Sequence, residues 1–337
     1  WTVEYFFQSL KILFDADRPP VGELHTIFKD FSTGLRPVVW TLVFLTANAL
    51  VLLRGVKRGI EKVSNILMPV LFILLVVFCI NSLLMDGAAD GLRFLFYPDF
   101  SKVNSSMMIG ALGQAFFSLS LGLGTMMIYA SYFSDRTPLI KSASTTAALD
   151  TLVALLAGIM IFPAVFTFGV APAAGPELVF EVLPSVFRMM PFGDIWSLMF
   201  FFLLMVASLT STISMSELCV AFFTEQFNMS RRCAVLINTA TTMILGTLCA
   251  LSFGLLSDIQ LCGKTIFNLF DYLSSNIMLP LGGMAIAFFV GWKVSPAIVN
   301  AQLGNAPGWL KKSIMVSLRY IAPAGIGLVF LSGLQLW

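Results

Sequence analysis

Charge is what this chain has least of. Only 11% of its 337 residues are Asp, Glu, Lys or Arg, against about 25% in a soluble domain, while 58% are hydrophobic and the mean hydropathy is +0.90. That balance excludes an ordinary soluble domain and points to an all-α polytopic membrane protein. Histidine is nearly absent: the one copy, His25, lies in a polar loop. The five cysteines (Cys79, Cys219, Cys233, Cys249 and Cys262) fall mostly within apolar segments without metal-ligand spacing. They read as small hydrophobes rather than a disulfide framework. No HExxH or GxSxG occurs, and Gly263-Lys264-Thr265 echoes the end of a phosphate-binding loop whose earlier Gly is here Asp258. These gaps argue against a membrane-embedded enzyme.

What is present is a series of eight apolar segments, at about 37–54, 63–85, 107–133, 142–171, 196–224, 233–256, 266–292 and 313–337. Each is long enough to cross a bilayer. Pro69, Pro163 and Pro280 lie inside three of them and are expected to kink or interrupt them. Before them comes WTVEYFFQSLKILF, which begins at Trp1, is too short to span and lacks a signal-peptide pattern. It reads as the outer half of a helix whose beginning is absent, in a fragment of a longer protein. Alternate connections carry twelve and eight Lys and Arg. The richer set is cytoplasmic by the positive-inside rule, which places the C-terminal Trp337 outside. Two outer loops are long, 86–106 and 172–194; such loops act as lids or as simple connectors.

Within the third segment, ALGQAFFSLSLGLGTMMIYASY, Ser118, Ser120, Gly122 and Gly124 crowd into seven residues. Gly weakens a helix interior by roughly 1 kcal/mol relative to Ala, and these polar groups do not share one helical face. One reading is an interrupted helix, whose freed backbone groups are tolerated at membrane depth only where they line a cavity or bind something. Secondary transporters build ion and substrate sites in this way. The other reading is a Gly/Ser-rich packing face. Three acids, Asp150, Glu217 and Asp271, also lie within apolar segments, with no Lys or Arg deep in any segment to pair with them. An ion, a proton or a cation outside the chain is then the expected partner, Glu217 being the one nearest a membrane face. In SLTSTISMSE, the hydroxyls of Thr210 and Ser211 follow Ala207 by one turn. They can join its carbonyl in holding a cation, or simply back-bond within the helix.

These stretches resemble the neurotransmitter:sodium symporter family. GQAFFSLSLGLGTMMIYASY is similar to its sixth helix, SLTSTISMSELCVAF to its eighth, and FDYLSSNIMLPLGG to its tenth. RGVKRGIEKVSNILMPVLF resembles its fourth-to-fifth helix junction, and GPELVFEVLPSVF its lid-like outer loop. The resemblance implies a LeuT-type inverted-repeat transporter fold. It implies one transmembrane domain over 1–337, from the second half of the family's third helix to its eleventh, with about eight full helices plus a partial one. It implies sodium-coupled symport of amino acids or related amines across the plasma membrane, with one or two sodium ions, a lipid bilayer and no nucleic acid as partners.

Residue by residue, the resemblance assigns sodium to Ser118 and Asp150 at one site, and to Ala207, Thr210 and Ser211 at another. Substrate contacts fall to Phe117, Ser120, Leu123, Ser211 and Met215. Asp271 matches the extracellular gate acid, and Ser131, Tyr132 and Glu225 the cytoplasmic gate. The family usually has Asn where Asp150 stands, and Ala154 offers neither device that balances sodium in other members. Asp150 is therefore expected to supply that charge, and chloride not to be required. The rival readings are proton coupling through Asp150, and a non-transporting binding or sensor protein on the same scaffold.

Overall fold

The computed structural model describes residues 1–14, 31–134, 137–169, 178–304 and 306–334. His25, the loop residues 172–177 and Trp337 lie outside the described residues. In chain order the helices are α1 (Thr2–Phe14), α2 (Arg36–Leu53), α3 (Gly59–Leu83), α4 (Ala88–Phe96), α5 (Ser105–Ser118), α6 (Thr125–Ser131) and α7 (Leu139–Thr167). There follow α8 (Leu183–Met189), α9 (Gly193–Gln226), α10 (Arg231–Leu251), α11 (Ile266–Lys293), α12 (Pro296–Gln302) and α13 (Gly308–Gly333).

Seven described helices are long and apolar enough to cross a bilayer: α2, α3, α7, α9, α10, α11 and α13. They fall on seven of the eight expected segments. The remaining one, the third segment at 107–133, exists as two short helices, α5 and α6, with a non-helical stretch between them. Pro69 and Pro163 do not interrupt their helices, whereas a π turn at Leu273–Met278 immediately precedes Leu279 and Pro280 in α11. The loop expected at 86–106 is partly helical, holding α4 and a short 3-10 turn at Phe100–Lys102. Gly263-Lys264-Thr265 belongs to a hairpin pairing Gln260 with Thr265 and Leu261 with Lys264. Cys262 and Gly263 take φ of 54° and 73° at its tip, as the turn of a two-residue hairpin requires. Helix starts follow their local sequence: Asn104 accepts from the Met107 amide at 2.8 Å and Ser230 from that of Cys233 at 3.3 Å, satisfying amides that have no partner within the helix.

The chain divides into two compact units. The first comprises Trp1–Tyr97 and Ala154–Phe267. Its core is aromatic, with Tyr5, Phe78, Phe187, Phe200 and Phe201 buried together; the Tyr5 and Phe201 centroids are 4.9 Å apart and those of Phe187 and Phe200 5.2 Å. Small polar side chains stitch α3 to α7: Cys79 Sγ donates to the Leu156 carbonyl at 3.1 Å, and Ser82 Oγ to that of Met160 at 2.6 Å. This is how membrane helices use groups that lipid cannot satisfy. Gly91 of α4 abuts the backbone at Pro163, where an added Cβ would meet the proline nitrogen at 2.4 Å. A second core joins α2, α9 and α10 through Leu52, Ile213, Val220, Ala234 and Val235.

The second unit comprises Pro98–Val153 and Asn268–Trp337. Glycines set its helix contacts. A Cβ at Gly113 of α5 would sit 3.4 Å from Val329 of α13, and one at Gly325 would sit 3.2 Å from Leu112.

Candidate ion and substrate site

The break between α5 and α6 is built from its own backbone. α5 closes with the Leu121 amide bonded to the Phe116 carbonyl at 3.1 Å and the Ser120 amide to that of Phe117 at 2.9 Å. This is the Schellman arrangement, which wants a left-handed residue at the position Ser120 occupies. Ser120 takes φ of 52°, followed by Gly122 at 92° and Gly124 at 82°. Glycine reaches such angles freely, serine only with strain. The break rests on α11 within the same unit. A Cβ at Gly122 would meet the Leu279 carbonyl at 2.3 Å, one at Gly282 the Gly122 carbonyl at 2.4 Å, and one at Gly283 the Phe116 ring at 2.2 Å. Backbone lies on backbone at Gly122 and Gly282, and Gly283 leaves room for the Phe116 ring.

Where α5 ends, Ser118 Oγ lies 2.7 and 2.8 Å from the two carboxylate oxygens of Asp150 on α7. No Lys or Arg pairs with Asp150 among the described residues. Phe117 and Leu123 flank the break, Phe117 being 53% exposed. On α6, Ser131 Oγ donates to the Ile128 carbonyl at 2.7 Å, with Tyr132 at the helix end. Asp271, on α11, accepts from Ser275 Oγ at 3.4 Å, and no cation pairs with it among the described residues.

The remaining predicted residues belong to α9 in the first unit. Thr210 Oγ1 donates to the Ala207 carbonyl at 2.9 Å; Ser211 and Met215 are exposed. The back-bond places two of the three oxygens expected at that sodium site side by side. Glu225 is exposed near the end of the helix. Glu217 departs from expectation. It is buried to 1% exposure, and Arg231, the first residue of α10, grips both its oxygens at 2.9 and 2.7 Å while donating from Nε to the Leu52 carbonyl at 3.1 Å. Its partner is thus a cation of this chain, which removes it from the acids awaiting an ion. The signal in the sequence is the place of Arg231 at the head of the helix that packs against α9, just before the apolar segment 233–256.

Among the described residues no three His, Cys, Asp or Glu side chains come together as a metal site. The donors on offer are hydroxyls, main-chain carbonyls and single carboxylates, the hard oxygen set that alkali and alkaline-earth cations prefer. Sequence reasoning found Ser118, Asp150 and the two glycines. It did not find the left-handed strain at Ser120, nor Gly282 and Gly283 as the surface beneath the break.

Comparison with known proteins gives these features a context. The model of the sodium:neurotransmitter symporter family matches residues 22–335. An uncharacterized sodium-dependent transporter of Bacillus subtilis, YhdH, is 38% identical over 294 residues, 86% of this chain and 65% of that protein. One from Haemophilus influenzae is 34% identical over 99% of this chain and 74% of its own length. The crystal structure of MhsT in complex with L-phenylalanine superposes with a TM-score of 0.88 at 40% identity, covering 99% of this chain and 76% of that one. The chain thus spans about two thirds to three quarters of the length of these relatives. With its apolar helices and its LeuT-type transporter fold, it is a multi-pass membrane protein, not an enzyme, and it belongs to the sodium:neurotransmitter symporter family.

Proposed function

We propose that this protein couples the inward sodium gradient to uptake of an amino acid across the plasma membrane, with Ser118 and Asp150 holding one sodium ion. The observation that carries this reading is the hydroxyl–carboxylate pair at the helix break, 2.7 and 2.8 Å apart, where no Lys or Arg among the described residues pairs with Asp150. A sodium ion entering there meets a full negative charge. At 4 Å and an effective dielectric constant of 20 that attraction is about 4 kcal/mol, so the carboxylate does for this site what a bound chloride would otherwise do. Transport is then independent of chloride. Ala207, Thr210 and Ser211 form the second ion site.

The substrate side chain contacts Phe117, Ser120, Leu123, Ser211 and Met215. The L-phenylalanine bound by MhsT and the apolar character of Leu123 and Met215 support an apolar amino acid. Asp271 belongs to the outer gate, and Ser131, Tyr132 and Glu225 to the inner one. The Lys and Arg distribution supports an external C-terminus.

The test uses protein expressed from its complete gene, in proteoliposomes with an inward sodium gradient and gluconate in place of chloride. Labelled phenylalanine and a mixed amino-acid pool are offered. Accumulation above equilibrium is the expected result. Uptake that appears only on adding chloride overturns the role given to Asp150. Uptake that follows a proton gradient regardless of sodium overturns sodium coupling.

A further inference from the structure

The last part of the second unit, residues 272–337, contains no Asp or Glu; its charges are Lys293, Lys311, Lys312 and Arg319. Arg319 falls inside the apolar segment 313–337, and α13, which starts at Gly308, places it near the middle of a 26-residue helix. A cation there is costly unless something offsets it. One of its donors has a local explanation. α11 closes in a π turn at Phe289–Lys293. The Val294 amide returns to the Phe289 carbonyl, and Pro296 has no N–H to offer. The Gly291 carbonyl is left to a side chain, and Arg319 Nε donates to it at 2.6 Å. Its guanidinium carbon lies 5.8 Å from the Trp292 ring centroid. A cation at a helix C-terminus also suits the helix dipole.

That arrangement fixes the plane of the guanidinium but uses only Nε. The two terminal amino groups have no acceptor among the described residues. Lys311 is different, because its ammonium is engaged by the Asn300 and Gly304 carbonyls at 3.3 and 2.7 Å, next to the end of α12. Lys293 and Lys312 are exposed and have no partner among the described residues. Trp292, Trp309 and Tyr320 are 56%, 72% and 57% exposed, the residues that settle at the headgroup level of a bilayer.

We propose that Arg319, Lys293 and Lys312 bind the phosphate of an anionic phospholipid, of the phosphatidylglycerol type, in the leaflet where α11 ends and α13 begins. The occupant must bring negative charge to a membrane-embedded arginine, and this stretch of chain supplies none. A lipid phosphate does so, accepting paired hydrogen bonds from a planar guanidinium, while Arg and Lys side chains reach toward it along apolar surface. Among the described residues no carboxylate forms an ion pair with these three cations. This inference needs only that the chain is embedded in a bilayer, and stands apart from the transport reading.

The test is lipid binding to the complete protein in neutral detergent, followed by native mass spectrometry and by the thermal unfolding midpoint. Phosphatidylglycerol, phosphatidylcholine and inorganic phosphate are titrated separately. Phosphatidylglycerol is expected to bind at least tenfold more tightly than phosphatidylcholine. Lys293→Gln and Lys312→Gln are each expected to weaken it about fivefold, the equivalent of ~1 kcal/mol per cation. Arg232→Gln, a substitution in the other unit, serves as the control and leaves binding unchanged. Arg319→Gln also removes the Gly291 contact, so the two exposed lysines keep the test independent of folding. Equal binding of the two lipids, a double lysine variant that matches the parent, or an equal midpoint shift from inorganic phosphate would each overturn the proposal.

Discussion

At the scale of single residues, two side chains carry most of the chemistry. Both carboxylate oxygens of Asp150 lie within 2.8 Å of the Ser118 hydroxyl on the broken helix. Asn in its place keeps the shape and removes the charge. Asp150→Asn is therefore expected to raise the sodium concentration for half-maximal uptake at least tenfold in chloride-free medium. That requires only part of the ~4 kcal/mol attraction available at 4 Å and an effective dielectric constant of 20. An unchanged sodium dependence would show that the carboxylate does not face the ion. Ser120 is the second case. Its φ of 52° suits glycine, so Ser120→Gly relieves strain but leaves the unfolded chain freer, and the unfolding midpoint should move little. Ser120→Val places a β-branched residue at a left-handed angle, which costs about 1–3 kcal/mol. A lowered midpoint for Val and not for Gly, by thermal unfolding in detergent, is the expected pattern.

At the scale of elements, the break and the helix pairs explain what was legible in the sequence and what was not. The eight apolar segments were readable because length and hydropathy are properties of the chain itself, and crowded Ser and Gly marked the third segment as weak. The Schellman closure was not readable, since Ser120 carries no left-handed signature of its own. Nor was the floor under the break, because Gly282 and Gly283 lie far along the chain and look like ordinary small residues. Gly282→Ala tests that floor: its Cβ would sit 2.4 Å from the Gly122 carbonyl, and backbone cannot yield as a side-chain tip can. A loss of about 1–3 kcal/mol is expected, together with weakened sodium binding if the break shifts. The Glu217–Arg231 pair escaped sequence reasoning for a related reason, since the two ends of a contact between packed helices are separated by a turn. Arg231→Ala strands a carboxylate that is 1% exposed and should cost about 3–5 kcal/mol. The double variant Glu217→Leu/Arg231→Met should recover most of that loss in the same unfolding measurement, because it leaves no buried charge behind.

At the scale of the whole molecule, the proposed ion sites make folding stability depend on sodium. Anything that binds the folded state and not the unfolded one stabilises it by RT ln(1 + [L]/Kd), about 2.7 kcal/mol at a hundred times Kd. The donors assigned to the first ion come from α5 and α7, and those assigned to the second from Ala207, Thr210 and Ser211, within one turn of α9. Both sets depend on tertiary structure or on an intact helix and disappear on unfolding. Sodium should therefore raise the unfolding midpoint of the purified protein, potassium at equal ionic strength should not, and replacing chloride with gluconate should leave the shift intact. Asp150→Asn should remove the part due to the first site, and Thr210→Val the part due to the second, since valine keeps the volume and deletes the hydroxyl oxygen. If the two sites are independent the losses add; a double variant that loses less than the sum would mean that the two ions bind as one coupled set. A midpoint that rises equally in sodium and potassium would assign the effect to ionic strength and leave neither pair of oxygens with an ion to hold.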